Sequence, residues 1–171
     1  MAAEEETAKD NRDDRAGQGG FEAATGDGPV PGTDPRARAA EVRVAFEGLL
    51  QIRRLTHTGP GDPAATPAPW ERRRPVRAVA LALEAAGLAP SAVDGTGRRT
   101  ATGFRVLAGE RAAAVRVEWA GPHGGGAAQE EERALAECAA VLERLGWEAL
   151  VYRGPRRRRF LEAEPMAGRA P

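Results

Sequence analysis

Residues 113–119 read Ala-Ala-Val-Arg-Val-Glu-Trp, and apolar and charged side chains alternate from Val115 to Trp119. A period of two residues is typical of a β-strand with one buried and one exposed face. Residues 103–107 (Gly-Phe-Arg-Val-Leu) also read as a strand, and Gly109 lies in the turn between the two segments. The two segments are therefore predicted to form an antiparallel hairpin.

Two helices are predicted around this hairpin. Pro75 suits the first position of a helix, where its missing N–H costs nothing, and Gly87 suits the C-terminal cap. After the hairpin, residues 128–145 carry an apolar stripe at helical spacing, formed by Leu135, Cys138, Leu142 and Leu145. A second hairpin is predicted from residues 147–152 and 160–163.

The predicted order along residues 75–165 is helix, strand, strand, helix, strand, strand. This order favours an α+β domain in which two helices pack on one face of a roughly four-stranded antiparallel sheet. The last residues, 166–171, are predicted to be frayed.

An additional N-terminal helix is predicted over residues 37–55, because Val42, Ala45, Phe46 and Leu49 recur on one helical face. Residues 56–74 are rich in Pro and Gly, which predicts an extended linker. The helix would therefore be tethered to the domain. Its apolar face would either pack back on the domain or meet a partner.

Residues 1–36 combine Glu, Asp, Gly and Pro with only two large apolar side chains, Phe21 and Val30. Such a segment cannot bury enough surface to offset the entropy lost on ordering, which predicts an acidic, disordered start.

Composition excludes several classes of protein. No stretch approaches 18 consecutive apolar residues, and the acidic start lacks the apolar core of a secretion signal, so a cytoplasmic protein is expected. Cys138 is the only cysteine, and the two histidines are far apart, so neither a metal site nor a cofactor is expected. No nucleophile elbow or phosphate-binding loop is present, which predicts a non-enzymatic protein.

Two surfaces are candidates for function. The first is the helical face of Val42, Phe46 and Leu49, which could bind an unknown protein partner or a second copy of the chain. The second is the tip of the last hairpin, where five of seven residues are arginine and could bind DNA or RNA phosphates: Arg153, Arg156, Arg157, Arg158 and Arg159. The first indicates an accessory or protein-interaction protein, and the second indicates a nucleic-acid-binding protein. Edge-strand charge is the alternative explanation for the arginines.

Arginine supplies 24 of the 25 basic residues and alanine is abundant, a bias typical of GC-rich codons. The chain resembles small uncharacterised α+β proteins of high-GC bacteria, over residues 76–163 at most. The resemblance is carried by this composition together with residues 102–106 (Thr-Gly-Phe-Arg-Val), residues 115–119 and the Leu-Gly-Trp end of the second helix. The resemblance implies no activity and no site residues.

Overall fold

The computed structural model describes residues 20–167. In chain order its helices and strands are α1 (Pro35–Thr56), α2 (Pro69–Arg73), α3 (Pro75–Ala85), β1 (Ala92–Val93), β2 (Arg99–Ala101), β3 (Gly103–Ala108), β4 (Val115–Ala120), α4 (Ala127–Arg144), β5 (Trp147–Arg153) and β6 (Arg159–Pro165). Single 3-10 turns occupy Pro63–Ala65 and Pro155–Arg157. The predicted α+β class, in which helices coexist with antiparallel strands, is confirmed.

The strands form two antiparallel sheets. β1 and β2 make a small ribbon, and the larger sheet has the order β3-β4-β6-β5. Within β4, Val115 and Val117 are fully buried while Arg116 and Glu118 between them are partly exposed, as the alternation predicts. One face of this strand therefore belongs to the core.

Helices α3 and α4 cover the buried side chains of the large sheet. α4 contacts β4, β5 and β6, and α3 contacts β3. The largest apolar side chains that are fully buried in this core are Phe104, Trp147 and Leu161 from the sheet and Leu83, Leu135 and Leu142 from the helices. Burial of each such side chain stabilises the fold by roughly 1.5–3 kcal/mol.

Helix α1 is not tethered outside the domain. Asp34 caps its start by accepting a hydrogen bond from the Arg36 N–H, and Pro35 begins the helix. The helix packs on α3, where Val42 and Leu49 bury their side chains against Leu81. Of the two outcomes expected for residues 37–55, packing on the domain and meeting a partner, the structure has the first, and the expected flexible tether is corrected.

The predicted linker, residues 56–74, is also part of the packed structure. It contains a 3-10 turn and helix α2, and Ala68 is buried. Gly146, at the end of α4, has φ +84°, and a Cβ there would overlap the backbone of Ala65. Glycine is therefore required at position 146, where residues 56–74 cross the end of α4.

Residues 20–34 differ from the disorder that composition predicts for residues 1–36. The Thr25 carbonyl accepts from the Val106 N–H at 2.8 Å, so this segment pairs with the outer edge of β3. Asp27 accepts hydrogen bonds from Arg99 and Arg105. Backbone pairing and these ion pairs supply contacts that composition does not reveal. Residues 1–19 lie outside the described part of the chain.

The pKa of Asp27 reflects these contacts. Partial burial alone would raise it, but the hydrogen bonds from Arg105 and Arg99 outweigh that effect and hold the pKa below its usual value. The carboxylate therefore stays charged and holds the segment against the sheet.

At the other end of the chain, the Met166 N–H donates to the Gly146 carbonyl, and residues 168–171 lie outside the described range.

Candidate functional site

The large sheet has one open edge among the residues that the structure describes. Its order places β3 at one end and β5 at the other. Thr25 already pairs with the outer side of β3. No described strand pairs with the outer side of β5, so the backbone of that strand is available to another chain.

The hydrogen bonds of the last hairpin show which backbone groups of β5 face outward. The Gly154 N–H donates to the Arg158 carbonyl, and the Met166 N–H donates to the Gly146 carbonyl. The two bonds extend the register of β5 and β6 by one residue pair at each end. Since antiparallel pairs alternate, even-numbered residues of β5 bond to β6. The N–H and C=O groups of Ala149, Val151 and Arg153 therefore point away from the sheet.

Three consecutive apolar side chains lie on this open strand. Leu150, Val151 and Tyr152 are 50%, 44% and 42% exposed. Since successive side chains of a strand alternate, Leu150 and Tyr152 lie on one face of the sheet, and Val151 lies on the face that contributes Trp147 and Ala149 to the core. An apolar, proline-free edge strand readily adds a strand from another chain. We call the outward backbone of β5 together with these three side chains the β5 edge.

The face of the sheet beside the β5 edge combines aromatic and charged side chains. Tyr152 stacks on Phe160 with ring centroids 5.6 Å apart. The Arg116 guanidinium lies 3.8 Å from the centre of the Phe160 ring. Carboxylates occupy the same face, including Glu162 and Glu164, which pair with Arg111. The face thus carries charges of both signs.

The predicted arginine site is divided by the structure. Arg158 pairs with the buried Glu131 at 3.2 Å, and Arg159 pairs with Glu132 at 3.3 Å. These two arginines hold the hairpin to the first turns of α4. The other three are exposed and have no ion-pair partner within residues 20–167: Arg153, Arg156 and Arg157. Among the described residues, three of the five arginines are therefore free of ion pairs, whereas Arg158 is exposed but paired.

The predicted protein-binding face of α1 is not available. Val42 and Leu49 are 4% and 2% exposed. Phe46 is partly buried against the side chains around Leu81 and against the core of the large sheet. Their helical spacing reflects packing on α3, so the structure corrects this assignment. The outer face of α1 instead exposes three other apolar side chains, namely Val44, Ile52 and Leu55.

In two other concave regions, charged side chains already bond to each other within the chain. A groove of about 850 Å³ lies between residues 30–35, α1 and the end of α3. Its lining is mostly apolar. Two of its charged residues, Arg38 and Glu84, already bond to each other at 2.8 Å. A second cleft lies beside the glycine-rich loop before α4, where Arg99 and Arg105 are held by Asp27.

Residues 20–167 contain neither a reactive cysteine nor a cluster of metal-binding side chains. Cys138 is fully buried, and burial raises the pKa of its thiol to about 12, so the reactive thiolate does not form near neutral pH. No described group of three or more His, Cys, Asp or Glu side chains could hold a metal ion. Nor does any described helix have both the length and the apolar content needed to cross a bilayer.

Comparisons with protein-family models, with curated proteins and with solved structures found no match to this chain. The candidate site therefore depends on its own geometry. The β5 edge is not among the surfaces predicted from the sequence, although the run Leu150-Val151-Tyr152 breaks the expected alternation of apolar and polar residues and could have indicated it.

Proposed function

We propose that this protein is a non-enzymatic interaction module that binds an extended segment of a partner along the β5 edge. The proposal assumes an arrangement in which α3 and α4 cover one face of a four-stranded sheet and leave β5 at its margin. The single observation that carries it is the coincidence of outward backbone groups with three exposed apolar residues. The outward N–H and C=O groups of β5 would give affinity for an extended segment, and the three apolar side chains would give specificity.

The charge beside the edge supports a protein partner over a nucleic acid. Glu162 and Glu164 on the adjacent strand are paired with Arg111, but Glu148 on β5 has no ion-pair partner within residues 20–167 and would repel phosphates that approached along the edge. A peptide with apolar and basic side chains has no such penalty. Backbone pairing by the partner would also satisfy the outward N–H and C=O groups of β5.

The test is selection of binding peptides from a random displayed library on the immobilised full chain. We expect the selected peptides to lose binding when Val151→Pro removes the outward N–H at the centre of the edge. Proline is tolerated on edge strands at such positions, so the bond pattern between β5 and β6 is retained. The matched control is Val151→Thr, which keeps the N–H and the β-branched shape. Equal binding to wild type and Val151→Pro would exclude the edge.

Nucleic-acid binding is the second candidate function. It is supported by the exposed Arg153, Arg156 and Arg157 and by the adjacent stack of Tyr152 on Phe160, which resembles a platform for bases. Fluorescence anisotropy with labelled single- and double-stranded DNA and RNA tests it at several salt concentrations. Steep weakening with salt, together with loss of binding when the three arginines become glutamine, would support this function. Glutamine at the exposed Arg43 and Arg54 is the control.

A further inference from the structure

We infer that the segment bound along the β5 edge is the β5 edge of a second copy of this chain, so that two large sheets join into one continuous sheet. This inference rests on the proposed function and names its partner. Two copies related by a twofold axis perpendicular to the sheet would pair their β5 strands antiparallel. Each copy would present the same surface to the other, which is the commonest form of dimer.

The twofold axis restricts the register of such a pair. Because the axis leaves each face of the sheet on the same side, residues of the same face must lie opposite each other. A register centred on Val151 meets this condition and places Val151 opposite itself. The outward groups of Ala149 then bond to those of Arg153 in the second copy, so the odd-numbered residues find the partners that β6 does not supply.

The same register buries the exposed apolar side chains. Leu150 lies opposite Tyr152 of the second copy on the open face, and the reverse pair forms by symmetry. The two Val151 side chains meet on the helix-covered face. Cross-strand pairs of this kind each contribute roughly 0.2–1 kcal/mol. The three exposed apolar side chains of the strand are therefore all covered by one dimer.

Charge complementarity favours a second copy over another extended peptide. In this register Glu148 lies opposite Gly154, beside the turn that carries Arg156 and Arg157 of the second copy. Within residues 20–167, none of these three charged side chains has an ion-pair partner in its own copy. The dimer brings the Glu148 carboxylate of each copy close to the Arg156 and Arg157 guanidinium groups of the other copy.

The first test is the molar mass of the full chain in solution, measured by sedimentation equilibrium over a wide range of concentration. We expect a reversible dimer, because a single strand pair gives a small interface. Val151→Pro and Val151→Lys should both give monomers, whereas Val151→Thr should remain a dimer. Circular dichroism checks that each variant keeps its fold, and the lysine variant covers the case in which proline disturbs β5.

The second test fixes the register. A Val151→Cys variant should form a disulfide between copies on mild oxidation, because residues paired across antiparallel strands lie within disulfide range. Cys138 is buried and will not compete. The control is Ile52→Cys on the exposed outer side of α1, which should not cross-link. The dimer should also weaken with Glu148→Arg and recover when Arg156 and Arg157 are changed to glutamate.

The outcomes separate this inference from the proposed function. A monomer at every concentration that still binds library peptides through Val151 would overturn the second copy as partner and leave the function standing. A monomer without such peptides would overturn both. A dimer that Val151→Pro does not affect would place the contact elsewhere and also overturn the inference.

Discussion

The Arg53 guanidinium and the Glu71 carboxylate form a two-pronged ion pair inside the protein. Arg53 Nε lies 2.8 Å from Glu71 Oε2, and its second nitrogen lies 2.7 Å from Oε1. Both side chains are 1% exposed. Arg53 also donates to the carbonyls of Ala64 and Leu145, and Glu71 accepts from the Ala68 N–H. One buried pair thereby joins α1, the following turn, α2 and the end of α4.

Removing one partner of this pair should strongly destabilise the protein. We expect Arg53→Ala to lower the free energy of unfolding by about 3–5 kcal/mol, because it leaves the Glu71 carboxylate buried without its cation. Urea unfolding measures the change. Arg54→Ala, one position along on the exposed side of α1, should change stability by only about 0.5 kcal/mol. Equal effects of the two variants would show that α1 is not anchored.

The inward face of α1 should behave as core. Leu49→Ala is expected to lower the free energy of unfolding by about 2–5 kcal/mol, because it removes a buried side chain and leaves a cavity against Leu81. Leu55→Ala, on the same helix but 75% exposed, is the matched control and should have little effect. A Leu49→Ala variant of wild-type stability would instead support the tethered helix that the sequence predicts.

The crossing at Gly146 should tolerate no side chain. Gly146→Ala combines an unfavourable positive φ with overlap on the backbone of Ala65, and we expect a greater loss of stability than the strained conformation alone would cause. Gly87→Ala isolates the conformational part, because Gly87 has φ +89° but no atom within 4 Å of the added methyl group. Thermal unfolding of both variants gives the comparison. Equal losses would show that the helix end and the preceding segment are not in close contact.

Ionisation of Cys138 should make stability depend on alkaline pH. Burial raises the pKa of its thiol to about 12 in the folded protein, whereas an unfolded thiol ionises near about 8.5. The contribution of the thiol to stability is therefore complete below that unfolded value and declines as pH rises towards the folded one.

The measurement is urea unfolding of wild type and Cys138→Ala at several pH values from about 7 to about 10.5. Other titrating groups are shared and cancel in the difference between the two proteins. The advantage of wild type over the variant should shrink as pH rises. A difference that stays constant with pH would mean that the folded thiol ionises as readily as the unfolded one. A thiol reagent should also react with Cys138 only after denaturant is added.

Local sequence patterns determined the longer helices of this protein and the strands of its large sheet. The alternation in residues 115–119 predicted β4, and the stripe of Leu135, Cys138 and Leu142 predicted α4, because each depends only on which face of a segment is buried. The α+β class followed from the order of such segments. These properties are local, so neighbouring residues are sufficient to specify them.

Only the tertiary structure decided what covers each surface. The apolar face of Val42 and Leu49 has the same spacing whether it meets α3 or another protein, since periodicity records burial and not the identity of the covering surface. The pairing of Arg158 with Glu131 joins residues 27 positions apart and depends on how the hairpin lies over α4. The order β3-β4-β6-β5 leaves β5 at the margin. Backbone hydrogen-bonding groups are the same in every residue, so which strand becomes an open edge is settled only when the sheet assembles.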